Sequence, residues 1–172
     1  MFASRKLECM KTVIIPTDFS ESSLKLIKNA VLHYPNEEIK IVLAAGYKTL
    51  LKSYTPSNYK NSTLIQSLAD SSYLTTLNSL IQEHKNKIID VAIRLYSGDT
   101  DAAFKNFLIL NDIDEALIPN STMQQFPNKK CFDITTLISM FSPKTSRVNY
   151  QAEARKKPTG DWLFHLKQQF NF

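Results

Sequence analysis

Apolar positions along this 172-residue chain follow two alternating rhythms, one of short continuous or alternating runs and one of three-and-four spacing. The first belongs to buried strands and the second to helices with one inward face. Thr12 to Ile15 opens the series as a β-rich run, and Pro16 closes it because proline donates nothing to a ladder. Leu24, Ile27 and Val31 then recur at i, i+3 and i+7, predicting a helix that Pro35-Asn36 stops. Asp18 or Ser20 is available to cap it, and Asp18 with Glu21 has the offset of a capping box. Ile39 to Ala45 is apolar apart from Lys40, the pattern of a central strand covered on both faces.

Tyr47 to Lys60 turns polar and reads as a long surface loop. Leu64, Leu68, Leu77, Ile81 and His84 next mark a helical stretch whose serine-rich middle, Asp70 to Thr76, conceals a candidate break. His84 reads as an edge residue there. Ile88 to Tyr96 alternates Ile89, Val91, Ile93 and Leu95 with polar or small residues, a third strand. A turn at Gly98 and an N-cap at Asp99 introduce a helix with Phe104, Phe107 and Leu108 inward. Glu115 to Ile118 is a fourth strand halted by Pro119. Ile134, Leu137, Ile138 and Phe141 give the last core helix, Pro143 ends it, and Arg147 to Tyr150 is a rather polar fifth strand. Strands alternating with helices in this way predict a three-layer α/β/α fold, Rossmann-like, around an open parallel five-stranded sheet with right-handed crossovers.

The chain divides into an N-terminal extension (1–10), this α/β domain (11–150), and a basic linker with a C-terminal amphipathic helix (151–172). In the last piece Thr159 or Asp161 caps a helix with Leu163, Leu166 and Phe170 on one face. Three roles stand for that helix: folding back on its own sheet, swapping onto a dimer mate, or resting on a membrane surface through Arg155 to Lys157, Trp162 and Phe164.

Composition narrows the function classes. With 43% hydrophobic and 22% charged residues, the chain suits one soluble domain. No apolar run reaches the roughly 20 residues of a membrane span, and the opening "MFASRKLECMK" carries no signal-peptide core, so a cytoplasmic protein is expected. Cys9 and Cys131 lack metal spacing and read as free thiols. The net charge of +5 is dispersed, and aromatic residues are not interleaved with the basic clusters, which argues against a nucleic-acid binder. His33, His84 and His165 match no nucleophile motif, so no catalytic residue is assigned and no enzyme is expected.

Chemistry concentrates where the first strand meets its helix, because ligands in such sheets sit at the carboxyl ends of strands where the strand order reverses. Asp18 lies there. It has two available uses, capping the helix or accepting hydrogen bonds from a base amine or ribose hydroxyls.

"VIIPTDFSESSLKLIKNAV" resembles the opening of the universal stress protein family, a strand followed by P-T-D-F-S and an amphipathic helix. "YSGDTDAAFKNFLILNDIDEALIP" is similar to that family's later strand, G-D-x turn, helix and fourth strand. The likeness covers roughly Met10 to Tyr150. It implies the adenine nucleotide alpha hydrolase-like sheet, a homodimer joined through the last strand, protein partners and a part in stress adaptation. ATP-binding members of the family carry G-x-x-G after the fourth strand and a Gly-Ser or Gly-Thr pair about nine residues later. The corresponding "IPNSTMQQFPNKKCFDITTL" has no glycine; Pro119 stands at the first glycine and Phe132-Asp133 at the pair. Main-chain amides cannot close on a phosphate past a phenyl ring, and Asp133 has the wrong charge. Each lost hydrogen bond to a charged group removes about 1.5–3 kcal/mol. Tight ATP binding in the family manner is therefore not expected, and no cofactor is assigned. Thr17, Asp18, Gly46 and Asn120 remain as a vestigial nucleotide crevice, with Tyr47 beside it and Lys129-Lys130 as alternative cations. The competing reading is an adenine-nucleotide sensor that holds ATP or AMP weakly near Asp18. A third is an enzyme of the wider nucleotide-handling superfamily.

Overall fold

The computed structural model describes residues 10–49 and 58–150. The first nine residues, most of the loop after Tyr47, and the proposed linker and C-terminal helix lie outside the described residues.

Five parallel strands form the main body of a six-stranded sheet. They are β1 (Met10–Pro16), β2 (Glu38–Tyr47), β3 (Ile88–Tyr96), β4 (Glu115–Pro119) and β6 (Thr145–Val148), in the order β3-β2-β1-β4-β6. Helices α1 (Lys25–His33), α2 (Asn58–Leu68) and α3 (Ser71–Glu83) precede β3 in the chain, and α4 (Asp101–Leu110) and α5 (Thr135–Phe141) follow it. Alternation along β1 separates two cores. Val13 and Ile15 pack with Leu26, Ile27, Tyr73, Leu77 and Leu80 on one face, and Ile14 packs with Phe104, Leu108, Ile134 and Ile138 on the other. A strand with both faces covered has no use for polar side chains, which explains why β2 is buried from Ile41 onward.

Local details depart from the sequence expectations in instructive ways. The first helix opens with a 3₁₀ turn over Glu21–Leu24, and its cap is Ser20, whose hydroxyl accepts from the Ser23 amide at 3.2 Å. Asp18 and Glu21 do not form a capping box. Glu21 reaches across to accept from Ser72 and Thr76 of α3, tying the two helices together. The break expected between Asp70 and Thr76 lies at Ala69-Asp70, and Asp70 caps α3 by accepting from the Tyr73 amide at 2.8 Å. Thr100 caps α4 in place of Asp99, its hydroxyl nearer the third helical amide. The polar loop ends at Asn58, where α2 begins. The last strand is Thr145–Val148, earlier than Arg147 to Tyr150, because Lys144 already bonds to β4 and Tyr150 turns inward. A two-residue strand, β5 (Cys131–Phe132), has no counterpart among the sequence expectations.

At the amino end of the sheet a polar cluster fastens β1, α1, β4 and the chain entering β6. Glu115, almost wholly buried, accepts from Lys11 at 2.7 Å, from the Tyr34 hydroxyl at 2.8 Å and from Lys144 at 3.2 Å. Lys11 also pairs with Glu37 at 2.9 Å. Burial pushes the Glu115 carboxyl up, but the hydrogen bonds from Lys11, Tyr34 and Lys144 outweigh it and hold the group down at about 2, against an ordinary 4.5. A folded-state pKa below the unfolded one adds stability that is complete above the unfolded value and drains away as pH falls. Acid unfolding followed by circular dichroism should therefore show stability lost between about pH 4.5 and 2. Glu115→Gln should flatten that loss and lower stability at neutral pH by about 1–3 kcal/mol, because Lys11 is partly exposed.

Candidate functional site

The strand order reverses between β1 and β4, so the crevice expected of such a sheet lies beyond their carboxyl ends. β1 accompanies β2 as far as Pro16 opposite Ala44, and the Thr17 amide donates to the Ala44 carbonyl at 2.9 Å. From Gly46 onward the same edge of β2 is taken by β5, which runs antiparallel with Phe132 opposite Gly46 and Cys131 opposite Tyr47. β3 holds the other edge of β2 as far as Gly46. The short strand therefore stands in line with β1 and fills the space directly beyond it.

Each predicted site residue has a definite place here. Thr17 is buried, and its hydroxyl bonds to Ser23 Oγ and Tyr73 Oη, both at 3.0 Å, while accepting from the Phe19 amide at 3.1 Å. Asp18 is fully buried. Its Oδ1 accepts from the Ser20 amide at 3.1 Å and from Ser20 Oγ at 2.5 Å, and its Oδ2 accepts from the Gln125 amide at 3.0 Å. Gly46 faces the Phe132 ring so closely that a β-carbon would collide with it, so the glycine here admits a side chain of the same protein. Asn120 is exposed and lies apart from this group, donating to Asn149 Oδ1 at 2.6 Å and through its amide to the Val148 carbonyl at 3.0 Å. Thr17, Asp18 and Gly46 thus surround the crevice, and Asn120 joins the end of β4 to β6. Lys129 and Lys130 are exposed just before β5, where the Lys130 carbonyl accepts from the Lys48 amide at 2.8 Å.

The loop leaving β4 is held by carboxylates. Asp133 accepts from the Met123 amide at 3.1 Å through one oxygen, and from the Thr135 amide at 2.9 Å and hydroxyl at 2.6 Å through the other. With the Gln125 amide on Asp18, three main-chain donors from the loop after β4 to the first residue of α5 already have an anionic acceptor. A phosphate needs such donors unpaired. Phe132 meanwhile makes an edge contact with Tyr96, whose ring also packs on Phe104 and Phe107.

Hydroxyls extend the network that starts at Asp18. A chain of bonds runs from Asp18 through Ser20 Oγ and Ser22 Oγ to Tyr150 Oη, with the last two links 3.0 and 3.1 Å long. Burial pushes the phenols of Tyr73 and Tyr150 up from their already high ordinary value. Phe19 adopts a left-handed backbone (φ 60°), unusual for a non-glycine residue, and is held there by its N–H hydrogen bond to Thr17 Oγ1 and by its ring against Tyr73. Sequence reasoning does not single out Tyr73, Gln125 or Tyr150. No local signal marks them, since each acts through a hydroxyl or amide that only the fold brings near.

Burial raises the Cys131 thiol, which is unpaired. Among the described residues no cluster of His, Cys, Asp or Glu has the form of a metal site, and no helix is long and apolar enough to cross a membrane.

No protein-family model matches the chain, and no curated protein matches it. Solved structures of universal stress proteins do resemble it. A universal stress protein in complex with cAMP is 16% identical, aligns over 82% of this chain and 98% of its own, and gives a TM-score of 0.44. Universal stress protein UspA from Lactobacillus plantarum is 10% identical over 82% of this chain and 97% of its own, with a TM-score of 0.44. A universal stress family protein from Burkholderia pseudomallei is 10% identical over 80% and 95%, with a TM-score of 0.43. Such distant likeness carries no inference about ligand or activity, and the architecture rests on the strand order itself.

Two measurements check the geometry of the filled crevice. Asp18→Ala should lower stability by about 3 kcal/mol, since it leaves buried donors without an acceptor. Gly46→Ala should be strongly destabilising in the native sequence and much less so beside Phe132→Ala; equal costs in both backgrounds would show that the ring does not occupy the glycine's space.

Proposed function

We propose that this protein is a noncatalytic relative of the universal stress proteins that acts through self-association and protein contacts, its nucleotide crevice filled by its own chain. The P-T-D-F-S junction and the strand order support kinship. One observation carries the functional reading: Phe132 lies on Gly46 while Asp18 and Asp133 accept the amides of Gln125, Met123 and Thr135. An ATP phosphate entering there would have to displace two carboxylates and a half-buried ring. Desolvating those groups without new partners costs about 1–3 kcal/mol for each one left unsatisfied. A cytoplasmic setting and a role in stress adaptation belong to the same reading.

Titration calorimetry of the full chain with ATP, ADP, AMP and cAMP is the test. No saturable heat is expected in the micromolar range, and no ATP turnover. Micromolar binding that disappears in a folded Asp18→Asn variant would overturn the proposal in favour of a nucleotide sensor.

A further inference from the structure

The sheet has two outer edges, and they differ in length and chemistry. β6 offers four residues, with Arg147 donating to Ser139 at 2.9 Å and Asn120 bonded to the Val148 carbonyl. β3 is nine residues long, and no strand among the described residues pairs with its outer edge. Its ladder to β2 is irregular at Ile88-Ile89, where Ile39 and Lys40 oppose Ile88 and Asp90, so the regular edge runs from Asp90 to Tyr96.

The direction of the outer hydrogen-bonding groups follows from the ladder. The Ala44 carbonyl faces β1, so the odd residues of β2 face β3, and the odd residues of β3 beyond the irregularity face outward. Arg94 agrees with this, because its Nη1 donates to the Ile93 carbonyl at 3.2 Å, covering an edge acceptor that no strand among the described residues takes. Val91, Ile93 and Leu95 thus present amides and carbonyls to the edge, while Asp90, Ala92 and Arg94 share one face. Asp90 and Arg94 are both exposed. Arg94 Nε rests on Asn111 Oδ1 at 3.2 Å.

We infer that β3 pairs antiparallel with β3 of a second copy of this chain about a two-fold axis through Ala92. This rests on the self-association proposed above and names its surface. In that register Val91 meets Ile93 of the other copy as a hydrogen-bonded pair, twice, matching the outward direction of both residues. Asp90 then opposes Arg94 of the other copy in the closer, non-hydrogen-bonded geometry, also twice. Ala92 meets itself on the axis, where Cα atoms come within about 4.5 Å and a small side chain fits. Moving the axis to Asp90 or to Arg94 would set like charges against each other, and moving it to Val91 or Ile93 would leave both charges without a partner. Among these registers, the one about Ala92 alone sets both charges on that face against opposite charges while keeping Val91 and Ile93 in hydrogen-bonded pairs. Ile89, 47% exposed, would gain cover beside Leu95 of the other copy.

Sedimentation velocity on the full chain tests this with Asp90→Arg and Arg94→Asp, two surface changes whose folding circular dichroism checks. The wild type should dimerise. Each variant alone should dissociate, its dimer constant weakened roughly ten- to a hundredfold, because two attractive pairs become two repulsive ones. An equimolar mixture of the two folded variants should recover a dimer, since the first then carries two arginines on this face and the second two aspartates at the positions opposite them. A wild-type dimer that neither variant weakens would overturn the β3 surface and leave self-association standing. A wild-type monomer would overturn both.

Discussion

Everything at the carboxyl end of this sheet depends on where the main-chain amides between β4 and α5 find an acceptor. Backbone donors in a tight loop must be satisfied by something, and a loop that leaves them unpaired is an anion site waiting for its anion. Here Asp18 and Asp133 provide the acceptors from within. Asp18 comes from the end of β1 and Asp133 from the threshold of α5, so the carboxylates also join segments more than a hundred and about ten residues apart in sequence. The loop is thereby ordered without a ligand.

The hydrophobic half of the same arrangement is the Phe132 ring over Gly46. The ring packs edge-on against Tyr96, which in turn packs on Phe104, so it belongs to the core that covers the Ile14 face of the sheet. At the opposite end of the strands, Glu115 plays a comparable part with Lys11, Tyr34 and Lys144. The two polar clusters differ in kind. Glu115 has cations beside it and its charge is neutralised locally, whereas the bonds found on Asp18 come from amides and a hydroxyl, leading on to Tyr150. The first is an ion-pair clamp on strand register; the second is a network that defines a loop.

Much of this was legible in the residues. The parallel sheet followed from covered strands such as Ile39 to Ala45, whose continuous apolar character serves only a layer with helices on both faces. The absence of glycine after Pro119, with phenylalanine and aspartate where a phosphate loop wants none, pointed to the altered crevice. What the sequence could not convey was long-range hydrogen bonding. Asp18 and Glu21 have capping-box spacing, yet one oxygen of Asp18 goes to Gln125 and the Glu21 carboxylate to Ser72 and Thr76, partners separated from them by 107, 51 and 55 residues. Local pattern weighs only near neighbours, and Ser20 takes the cap because it directly precedes the helical turn, two residues closer than Asp18. β5 escaped notice for a related reason: two residues have no period, and their pairing with Gly46 and Tyr47 exists only because β1 stops short of the end of β2.

A filled crevice changes what the rest of the surface is for. When no small molecule organises the carboxyl end of such a sheet, specificity has to reside in features that another macromolecule can read, and an unpaired strand edge is the most directional of these because it offers fixed donors and acceptors at a fixed spacing. Such edges are hazardous if any strand can join them. Asp90 and Arg94 limit the hazard, since a charged pair four residues apart rejects most registers and accepts its own two-fold image. The guanidinium resting on the Ile93 carbonyl adds a second barrier, because an incoming strand must displace it and only an opposing carboxylate compensates the move. Charge placement on β3 thus couples solubility of the single chain to recognition of one partner.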